Sequence, residues 1–590
     1  MIVIPTYSEL KKNAKLDNEE YKRIKVAILG DTSTQFLTIA LKGFANQYKL
    51  SLDIFEADFN QIDRQVFDKS SDLYAFAPQI IILFHAAEKM LLRFYKNDVE
   101  EKTRFGANHI QLVANLYDTL SSNIGCKVIY YNLCEINNSI LGNYANKTTA
   151  SFIYQLRKIN FELMNLAEAK QDLFICDICA LQAQIGRSVS FAQSIYINTD
   201  MVLSLDLVPL IAKNTMDIIA CMYGRMIKCI VLDLDNTLWG GVIGDDGIEN
   251  IQIGNLGIGK AFTEFQYWLK NLKERGILLA VCSKNTEAVA KGAFKEHPDM
   301  VLQLEDFCVF VANWENKSDN MRYIQSVLNI GFDSMVFLDD NPFERNMVRE
   351  NIKDILVPEL PEDPALYIDY LCTMNLFEVT GLSIEDTQRT ALYQEDAQRA
   401  ILQRSFTNEL SYLASLEMVS EVDVFNSFNI PRVAQLSQRS NQFNLRTVRY
   451  SESDIVRMAA NSTYVTFTYT LQDKFGDNGL ICVVIMRKES EQQLFIDSWF
   501  MSCRVLKRSM EQFTLNTLVK YAMQNGYTQI IGEYIPTAKN DLVKDHYAQL
   551  GFTAHDNKWL LLVNDYEEKK TYIKSKIKIY EQRYFTATTE

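Results

Sequence analysis

The chain has 590 residues, of which 48% are hydrophobic and 23% charged, and its formal net charge is −14. This length exceeds what one hydrophobic core serves, so three domains are expected. The acidic balance argues against a nucleic-acid-binding surface, and no apolar run is long enough to span a membrane. Eleven scattered cysteines fit reduced thiols, and the N-terminus lacks a signal-peptide pattern, so a cytoplasmic location is expected.

Residues 1–224 alternate short apolar runs with helical stretches such as 149–169. This alternation predicts an α/β domain built on a parallel sheet. The predicted strands are Lys25–Leu29, Leu50–Phe55, Gln79–Phe84, Lys127–Tyr131 and Leu173–Ile178.

The first of these strands ends in Gly30-Asp31-Thr32, which resembles the nucleophile block of SGNH hydrolases. In that family a serine stands where this chain has Thr32. The family also uses a histidine near the end of the domain, and this sequence has none between His109 and His297. The resemblance implies an SGNH-like (flavodoxin-like) sheet without hydrolase activity.

The segment 225–360 carries polar residues at the ends of its predicted strands. The apolar run Cys229–Leu232 is followed by Asp233, Asp235 and Thr237. Carboxylates at this end of a parallel strand lie in the crevice where open sheets bind ligands, and Mg²⁺ takes oxygen ligands there. The pattern predicts Asp233 as a nucleophile toward phosphorus and Asp235 as the general acid/base.

Three further polar elements follow in order. Ser283, with Lys284 and Asn285, closes the next strand and is predicted to bind a phosphoryl group together with Thr237. Lys317 is predicted to offset the charge of the nucleophile and the phosphoryl group. Asp339 and Asp340 close another strand and are predicted to complete a Mg²⁺ site with Asp233 and Asp235. The sequence does not show whether Asp339 or Asp340 is the metal ligand. The set predicts Mg²⁺-dependent phosphoryl transfer.

This ordered set resembles the haloacid dehalogenase (HAD) phosphotransferase superfamily. Several motifs resemble its FkbH-like branch: Trp239-Gly240-Gly241, the stretches 337–345 and 357–361, and Gln435–Asn444. The resemblance covers about 228–552 and implies a Rossmannoid core. It also implies loading of a glyceryl unit from 1,3-bisphosphoglycerate onto an acyl carrier protein, with loss of phosphate.

The segments between these motifs are too short to hold a cap domain, so the site should be open to a group on a long arm. The alternative is a plain HAD phosphatase that acts on a sugar phosphate or another small metabolite. A scaffold without activity is a third interpretation, and the complete set of polar elements argues against it.

Prolines 358, 361 and 364 mark the end of the HAD core, and a helical connector is expected over 361–417. The pattern over 418–566 predicts an α+β domain with a helix at 505–524. Its end, His546–Phe552, resembles the close of the GNAT acyltransferase fold. Lys507 and Ser509 replace the glycines of the GNAT pyrophosphate turn, so a pantetheine-linked partner is expected rather than acetyl-CoA. Residues 567–590 are expected to form a charged helical tail.

A thiol is relevant if an acyl group passes through the enzyme, because thiolates form thioesters. Cys503 lies at a predicted strand-to-helix turn beside Arg504, a neighbourhood that could activate it. Cys282 adjoins Ser283 and is the second candidate. Free cysteines are more often buried and inert.

Overall fold

The computed structural model describes residues 4–16, 20–382, 389–404, 406–537 and 539–577. It divides into two compact units, residues 2–221 and 222–590. Among the described helices, none is both long enough and apolar enough to cross a membrane.

The first unit is built on a five-stranded parallel sheet of order β2-β1-β3-β4-β5, which confirms the predicted α/β pattern. Its strands are β1 (Lys22–Gly30), β2 (Leu50–Glu56), β3 (Ile80–Phe84), β4 (Lys127–Tyr131) and β5 (Leu173–Cys176). The last strand ends at Cys176 because Asp177 caps the next helix, where its side chain accepts a hydrogen bond from the Ala180 amide.

In the described part of the first unit, α-helices connect or flank these strands. They are α1 (Tyr7–Asn13), α2 (Gln35–Ala45), α3 (Ile62–Phe67), α4 (Asp72–Phe76), α5 (Ala87–Tyr95), α6 (Val99–Asn123), α7 (Phe152–Ala169), α8 (Ile178–Ile185), α9 (Arg187–Ser190), α10 (Gln193–Thr199) and α11 (Leu207–Met222).

The second unit begins with a four-stranded parallel sheet of order β8-β7-β6-β9. Its strands are β6 (Cys229–Leu232), β7 (Leu278–Ser283), β8 (Phe307–Ala312) and β9 (Met335–Leu338). Nearly every residue in them is buried, because helices cover both faces of such a sheet and the strands must then be apolar throughout.

Helices lie between these strands and after the last of them. The helices are α12 (Ile243–Asp246), α13 (Gly257–Glu274), α14 (Glu287–Glu296), α15 (Lys317–Leu328), α16 (Pro342–Asn351) and α17 (Tyr367–Thr373). Residues 233–277, all of which the structure describes, hold only α12 and α13 as helices and no named strand. The connection therefore contains no sheet that could cover the carboxyl edge.

An eight-stranded mixed sheet of order β15-β16-β14-β13-β12-β11-β10-β17 occupies the rest of this unit. Its strands are β10 (Val419–Asp423), β11 (Tyr464–Asp473), β12 (Gly476–Lys488), β13 (Gln493–Met501), β14 (Gln529–Gly532), β15 (Thr553–His555), β16 (Lys558–Leu562) and β17 (Lys574–Ile577). The helices are α18 (Arg389–Arg404), α19 (Glu409–Ser415), α20 (Ile430–Arg439), α21 (Glu452–Ala460), α22 (Met510–Gln524) and α23 (His546–Gln549).

Two sequence predictions are wrong here. The helix predicted from residue 505 begins at Met510, because Lys507 (φ 62°) and Ser509 (φ 61°) have left-handed backbone conformations that a helix cannot contain. The structure describes residues 567–577 of the predicted helical tail, and none of them is helical: 567–573 have no regular structure, and Lys574–Ile577 form β17, which pairs in parallel with β10. Here an open sheet edge outweighs the local helical pattern. Residues 578–590 of that prediction, and 383–388 of the connector, lie outside the described residues.

Candidate active site

Three carboxylates meet at the carboxyl edge of the four-stranded sheet. One oxygen each from Asp233, Asp339 and Asp340 lies within 4.8 Å of the others. They meet because Leu232 and Leu338 are register partners in neighbouring parallel strands, so the residues after them leave the sheet side by side. The backbone amide of Asp233 also donates to the Leu338 carbonyl at 2.9 Å.

Lys317 joins this group from the first turn of α15. Asn316 starts that helix by accepting a hydrogen bond from the Ser318 amide. The Lys317 side chain is only 3% exposed, and its Nζ lies 2.5 Å from Asp339 Oδ2 and 3.0 Å from Asp233 Oδ1. One buried cation therefore offsets two buried carboxylates. Its predicted action on a phosphoryl group stays a prediction.

The electrostatics of the group follow from burial and proximity. Burial, and then the charge of Asp233, raise the pKa of Asp339 to about 7. Burial alone would lower the pKa of Lys317, but its two carboxylate neighbours outweigh that effect and raise it above its ordinary value. Burial raises the pKa of Asp340 as well.

The donor set fits a hard divalent cation. Such ions take carboxylate oxygens, and three converge here. Asp233 Oδ1 is buried and accepts no hydrogen bond from the described residues, although Lys317 Nζ lies 3.0 Å from it. The Asp235 carboxylate, which was predicted as a further ligand, is not part of this group of three.

Asp235 is held separately. Its Oδ1 accepts hydrogen bonds from Trp239 Nε1 at 2.9 Å and from the Ile243 amide at 3.1 Å. Its Oδ2 accepts one from Asn285 Nδ2 at 3.1 Å. Burial raises the pKa of Asp235, which favours the protonated form that a general acid needs. The two aspartates of the first motif thus have different surroundings.

The predicted phosphate-binding residues lie around the carboxylates. Ser283 is buried at the end of β7, and Asn285 faces Asp235. Lys284 forms an ion pair with Glu344 at 2.7 Å. The Thr237 hydroxyl accepts a hydrogen bond from the Asp340 amide at 3.2 Å, so in this structure it supports the loop that carries Asp339 and Asp340.

Sequence reasoning missed two supporting residues. Arg345 is buried and donates to the carbonyl oxygens of Asp339 and Asp340 at 2.8 and 2.6 Å, and it pairs with Glu359. Trp239 is the other, through its bond to Asp235. Both lie in the stretches that carry the FkbH-like resemblance, which was the only sequence signal for them.

The two candidate cysteines differ in position. Cys282 is fully buried in β7, and burial raises the pKa of its thiol to about 12. Cys503 is half-buried at the strand-to-helix turn, and its carbonyl oxygen accepts a hydrogen bond from Asn329 Nδ2. Asn329 follows α15, whose first residue is Lys317, so about 18 Å of helix separates this contact from the carboxylates. The structure does not bring Cys503 to them.

In the first unit, the Thr32 hydroxyl is buried and donates to the carbonyl oxygen of Asp200. Asp31 accepts from the Ala86 amide at 2.8 Å and pairs with Arg93. The two histidines of this unit, His85 and His109, both contact the Tyr130 hydroxyl, at 2.9 Å in each case. Burial lowers the pKa of both imidazoles. Neither bonds to Thr32 in the described residues.

The Gln435–Asn444 run connects two parts of the second unit. The Arg439 carbonyl accepts a hydrogen bond from Lys228 Nζ at 3.2 Å, just before β6. Phe443–Leu445 lies along β13 where β14 has stopped pairing: the Leu445 amide donates to the Trp499 carbonyl, and the Met501 amide to the Phe443 carbonyl. The run therefore contacts both the segment before β6 and strand β13.

Comparison with known proteins supports a HAD-type phosphatase with an FkbH N-terminal domain. The profile of the FkbH N-terminal domain matches residues 25–220. The crystal structure of the N-terminal part of the protein BF1531 from Bacteroides fragilis, "containing phosphatase domain complexed with Mg", is 51% identical with a TM-score of 0.62. The match covers 64% of this chain and 100% of that one. None of the curated proteins compared with the chain matches it.

Two weaker likenesses are to acetyltransferases. The ribosomal-protein-S18-alanine N-acetyltransferase from Escherichia coli is 14% identical with a TM-score of 0.20, over 26% of this chain and 99% of that one. An N-acetyltransferase from Staphylococcus aureus is 14% identical with a TM-score of 0.20, and the match covers 25% of this chain and 99% of that one. Neither assigns a fold to this chain.

The four-stranded sheet with its carboxylates is thus the Rossmann-like core of a phosphatase. The match to the Bacteroides protein has 51% identity and covers the whole of that protein's chain. The FkbH profile matches residues 25–220, which lie in the first unit. On these grounds the chain belongs to the FkbH family, and it is an enzyme with a HAD-type phosphatase domain.

Proposed function

We propose that the chain is a Mg²⁺-dependent glyceryl transferase/phosphatase. It takes a three-carbon acyl donor of the 1,3-bisphosphoglycerate type, removes phosphate at the HAD-type site, and places the acyl group on an acyl carrier protein. The observation that carries the phosphatase step is the group of Asp233, Asp339 and Asp340 around Lys317, with Asp235 held apart from it. The transfer to a carrier protein rests on the FkbH resemblance.

The residues have distinct roles in the phosphatase step. Asp233 attacks phosphorus, and Lys317 offsets the charge that gathers there. Asp235 protonates the leaving oxygen and then takes a proton from the water that hydrolyses the aspartyl-phosphate. Asp233 with Asp339 or Asp340 would hold Mg²⁺, which neutralises phosphoryl charge when bound.

Metal removal is the first test. EDTA should reduce phosphate release to the background rate, and excess Mg²⁺ should restore it, because without the metal ion Lys317 alone cannot offset the charges of the three carboxylates and the phosphoryl group. Released phosphate is measured against a control in which EDTA is saturated with Mg²⁺ beforehand. Full activity in metal-free buffer would contradict the proposal.

We also propose three domains: an SGNH-like domain over 1–224, a HAD core over 225–360 and a GNAT-like domain over 418–566, joined by the connector 361–417. The sheet order and parallel pairing of the first unit support its part of this proposal. The order of strands and helices over 418–566, with the helix Met510–Gln524 between β13 and β14, supports the GNAT-like part. The left-handed Lys507 and Ser509 have the backbone conformation that glycine favours, which is compatible with a turn near a pantetheine-linked partner.

The first unit should be catalytically silent. Thr32→Ala should leave phosphate release within about twofold of the wild type, because the Thr32 hydroxyl bonds to a carbonyl and not to a histidine. Hydrolysis of acetylated sugars and nitrophenyl esters is measured in the same samples. Esterase activity that disappears in Thr32→Ala would show that this site is active.

The acyl route can be tested at the two cysteines. If the acyl group passes through a thiol, enzyme incubated with donor should gain a glyceryl mass that hydroxylamine removes. Cys503→Ala should abolish that mass while phosphate release continues, because the carboxylates lie elsewhere. Cys282→Ala is the matched comparison, since its buried thiol is protonated at neutral pH. Normal loading of carrier protein by both variants would favour direct transfer.

The whole proposal is tested by incubating the enzyme with Mg²⁺, 1,3-bisphosphoglycerate and candidate carrier proteins. The mass of each intact carrier protein is then measured by mass spectrometry. A glyceryl adduct on the carrier supports the transferase. Rapid turnover of small phosphate esters without any loaded carrier would instead support the alternative, a plain HAD phosphatase for a sugar phosphate or similar metabolite.

A further inference from the structure

The carboxylate of Asp235 is held unequally at its two oxygens. Oδ1 accepts two hydrogen bonds, from Trp239 Nε1 and from the Ile243 amide. Oδ2 accepts one, from Asn285 Nδ2. Oδ1 is occupied by two protein donors, so Oδ2 is the oxygen that can still interact with a substrate.

Trp239 is built into the loop that follows Asp235. Its side chain is fully buried, and its ring lies edge-on to Phe294 with centroids 5.5 Å apart. The next turn is fixed: Gly241 has φ 94°, and a Cβ there would lie 2.6 Å from Asp246 Oδ2. The Gly241 amide also donates to Asn236 Oδ1. The loop therefore returns the indole N–H to Asp235 in one orientation.

A buried tryptophan N–H normally finds an acceptor. The acceptor of the Trp239 N–H is the carboxylate of Asp235, which is predicted to act as the general acid. Phenylalanine keeps an aromatic ring for the edge-to-face contact with Phe294, although it is smaller and has no N–H. The hydrogen bond is the property that distinguishes tryptophan at this position.

We propose that Trp239 is a positioning residue that turns Asp235 so that Oδ2 faces the leaving oxygen. This inference rests on the proposed phosphatase function and adds to it the reason for tryptophan in the Trp239-Gly240-Gly241 motif. Trp239 itself contacts no substrate.

Asp235 acts in both steps of the hydrolysis of a phosphate ester. An Asp233 oxygen forms a bond to phosphorus while the bond from phosphorus to the ester oxygen breaks, and the proton on Asp235 Oδ2 moves to that oxygen, which leaves as an alcohol. Water then attacks the aspartyl-phosphate, its proton returns to Asp235, and inorganic phosphate leaves with Asp233 restored. An alkyl alcohol needs this proton far more than an acidic phenol does.

The test compares two substrates, glycerol 3-phosphate with an alkyl leaving group and p-nitrophenyl phosphate with an acidic one. Trp239→Phe should lower kcat for the alkyl ester about tenfold more than for the nitrophenyl ester, with KM for both unchanged. Asp235→Asn should show the same selectivity more strongly, and adding Trp239→Phe to it should change the ratio no further.

A second variant covers the case in which Phe disturbs folding. Benzothienylalanine at position 239 keeps the bicyclic shape and lacks only the N–H, so it should reproduce the selective loss. Phe294→Leu, which disturbs the same packing and keeps the hydrogen bond, should leave the ratio of the two rates at the wild-type value.

Equal losses for the two esters, or no loss with benzothienylalanine, would overturn the role of Trp239 while the phosphatase function stands. Hydrolysis of both esters by Asp233→Asn at the wild-type rate would overturn the proposed function itself. The two failures are therefore read from different variants.

Discussion

Asp233→Asn should lower phosphate release at least ~10³-fold, the effect expected when an essential nucleophile is lost. Asparagine keeps the shape of the side chain but cannot attack phosphorus as an anion. It also removes one of the three carboxylates of the proposed Mg²⁺ site. The measurement is phosphate release at saturating Mg²⁺, with thermal unfolding recorded to show that the variant is folded.

Asp245→Asn is the matched control, since this carboxylate is exposed in α12, within the same connection between β6 and β7, and lies outside the group of three. Its phosphate release should stay within about twofold of the wild type. Phosphate release by Asp233→Asn at more than about a tenth of the wild-type rate would contradict the nucleophile assignment.

Lys317→Met should have the second largest effect, on both stability and activity. It removes the buried cation that lies between Asp233 and Asp339 and leaves two carboxylates facing each other. Removing one partner from a buried ion pair costs about 3 kcal/mol or more of unfolding free energy. Phosphate release should fall at least ~10²-fold because the charge on the phosphoryl group loses its counterion.

The two effects can be separated with Lys273→Met. Lys273 pairs with Asp306, which is also buried, but this pair is not part of the carboxylate group. That variant should lose stability and keep its activity below the unfolding temperature. If Mg²⁺ titration shows that Lys317→Met has full activity at any Mg²⁺ concentration, the counterion role of Lys317 is wrong.

The sequence indicated that Asp233, Lys317, Asp339 and Asp340 would lie together, although it also included Asp235 among the ligands, because the determinants of this arrangement are local. Each candidate residue follows a short apolar strand, and parallel strands bring such positions together at one edge. Asp233, Lys317, Asp339 and Asp340 were therefore identifiable without a structure. The bonds of Trp239 and Arg345 were not, since they depend on how a loop returns and how a helix begins.

Cys503 shows the limit of reasoning from neighbours in the chain. Arg504 stands next to it in sequence, but its guanidinium bonds to Ser502 Oγ and the Asn478 carbonyl. The contact with Asn329 places Cys503 at the far end of α15 from Lys317. That distance is set by the packing of the eight-stranded sheet against the HAD core, which no local pattern encodes.

The predicted helical tail, residues 567–590, shows how composition can mislead. Its charged composition favours a solvent-exposed helix, whereas the backbone of Lys574–Ile577 pairs with β10. Composition describes side chains, and an unpaired sheet edge attracts backbone groups whatever side chains accompany them.

Chemical trapping of the intermediate tests the central claim most directly. Enzyme with Mg²⁺ and a phosphorylated substrate is quenched during a single turnover and reduced with borohydride, which converts an aspartyl-phosphate to homoserine. Peptide mass analysis should find homoserine at position 233 and aspartate at 235, 339 and 340. Phosphate release in the same samples without homoserine at 233 would contradict a covalent HAD-type reaction at this site.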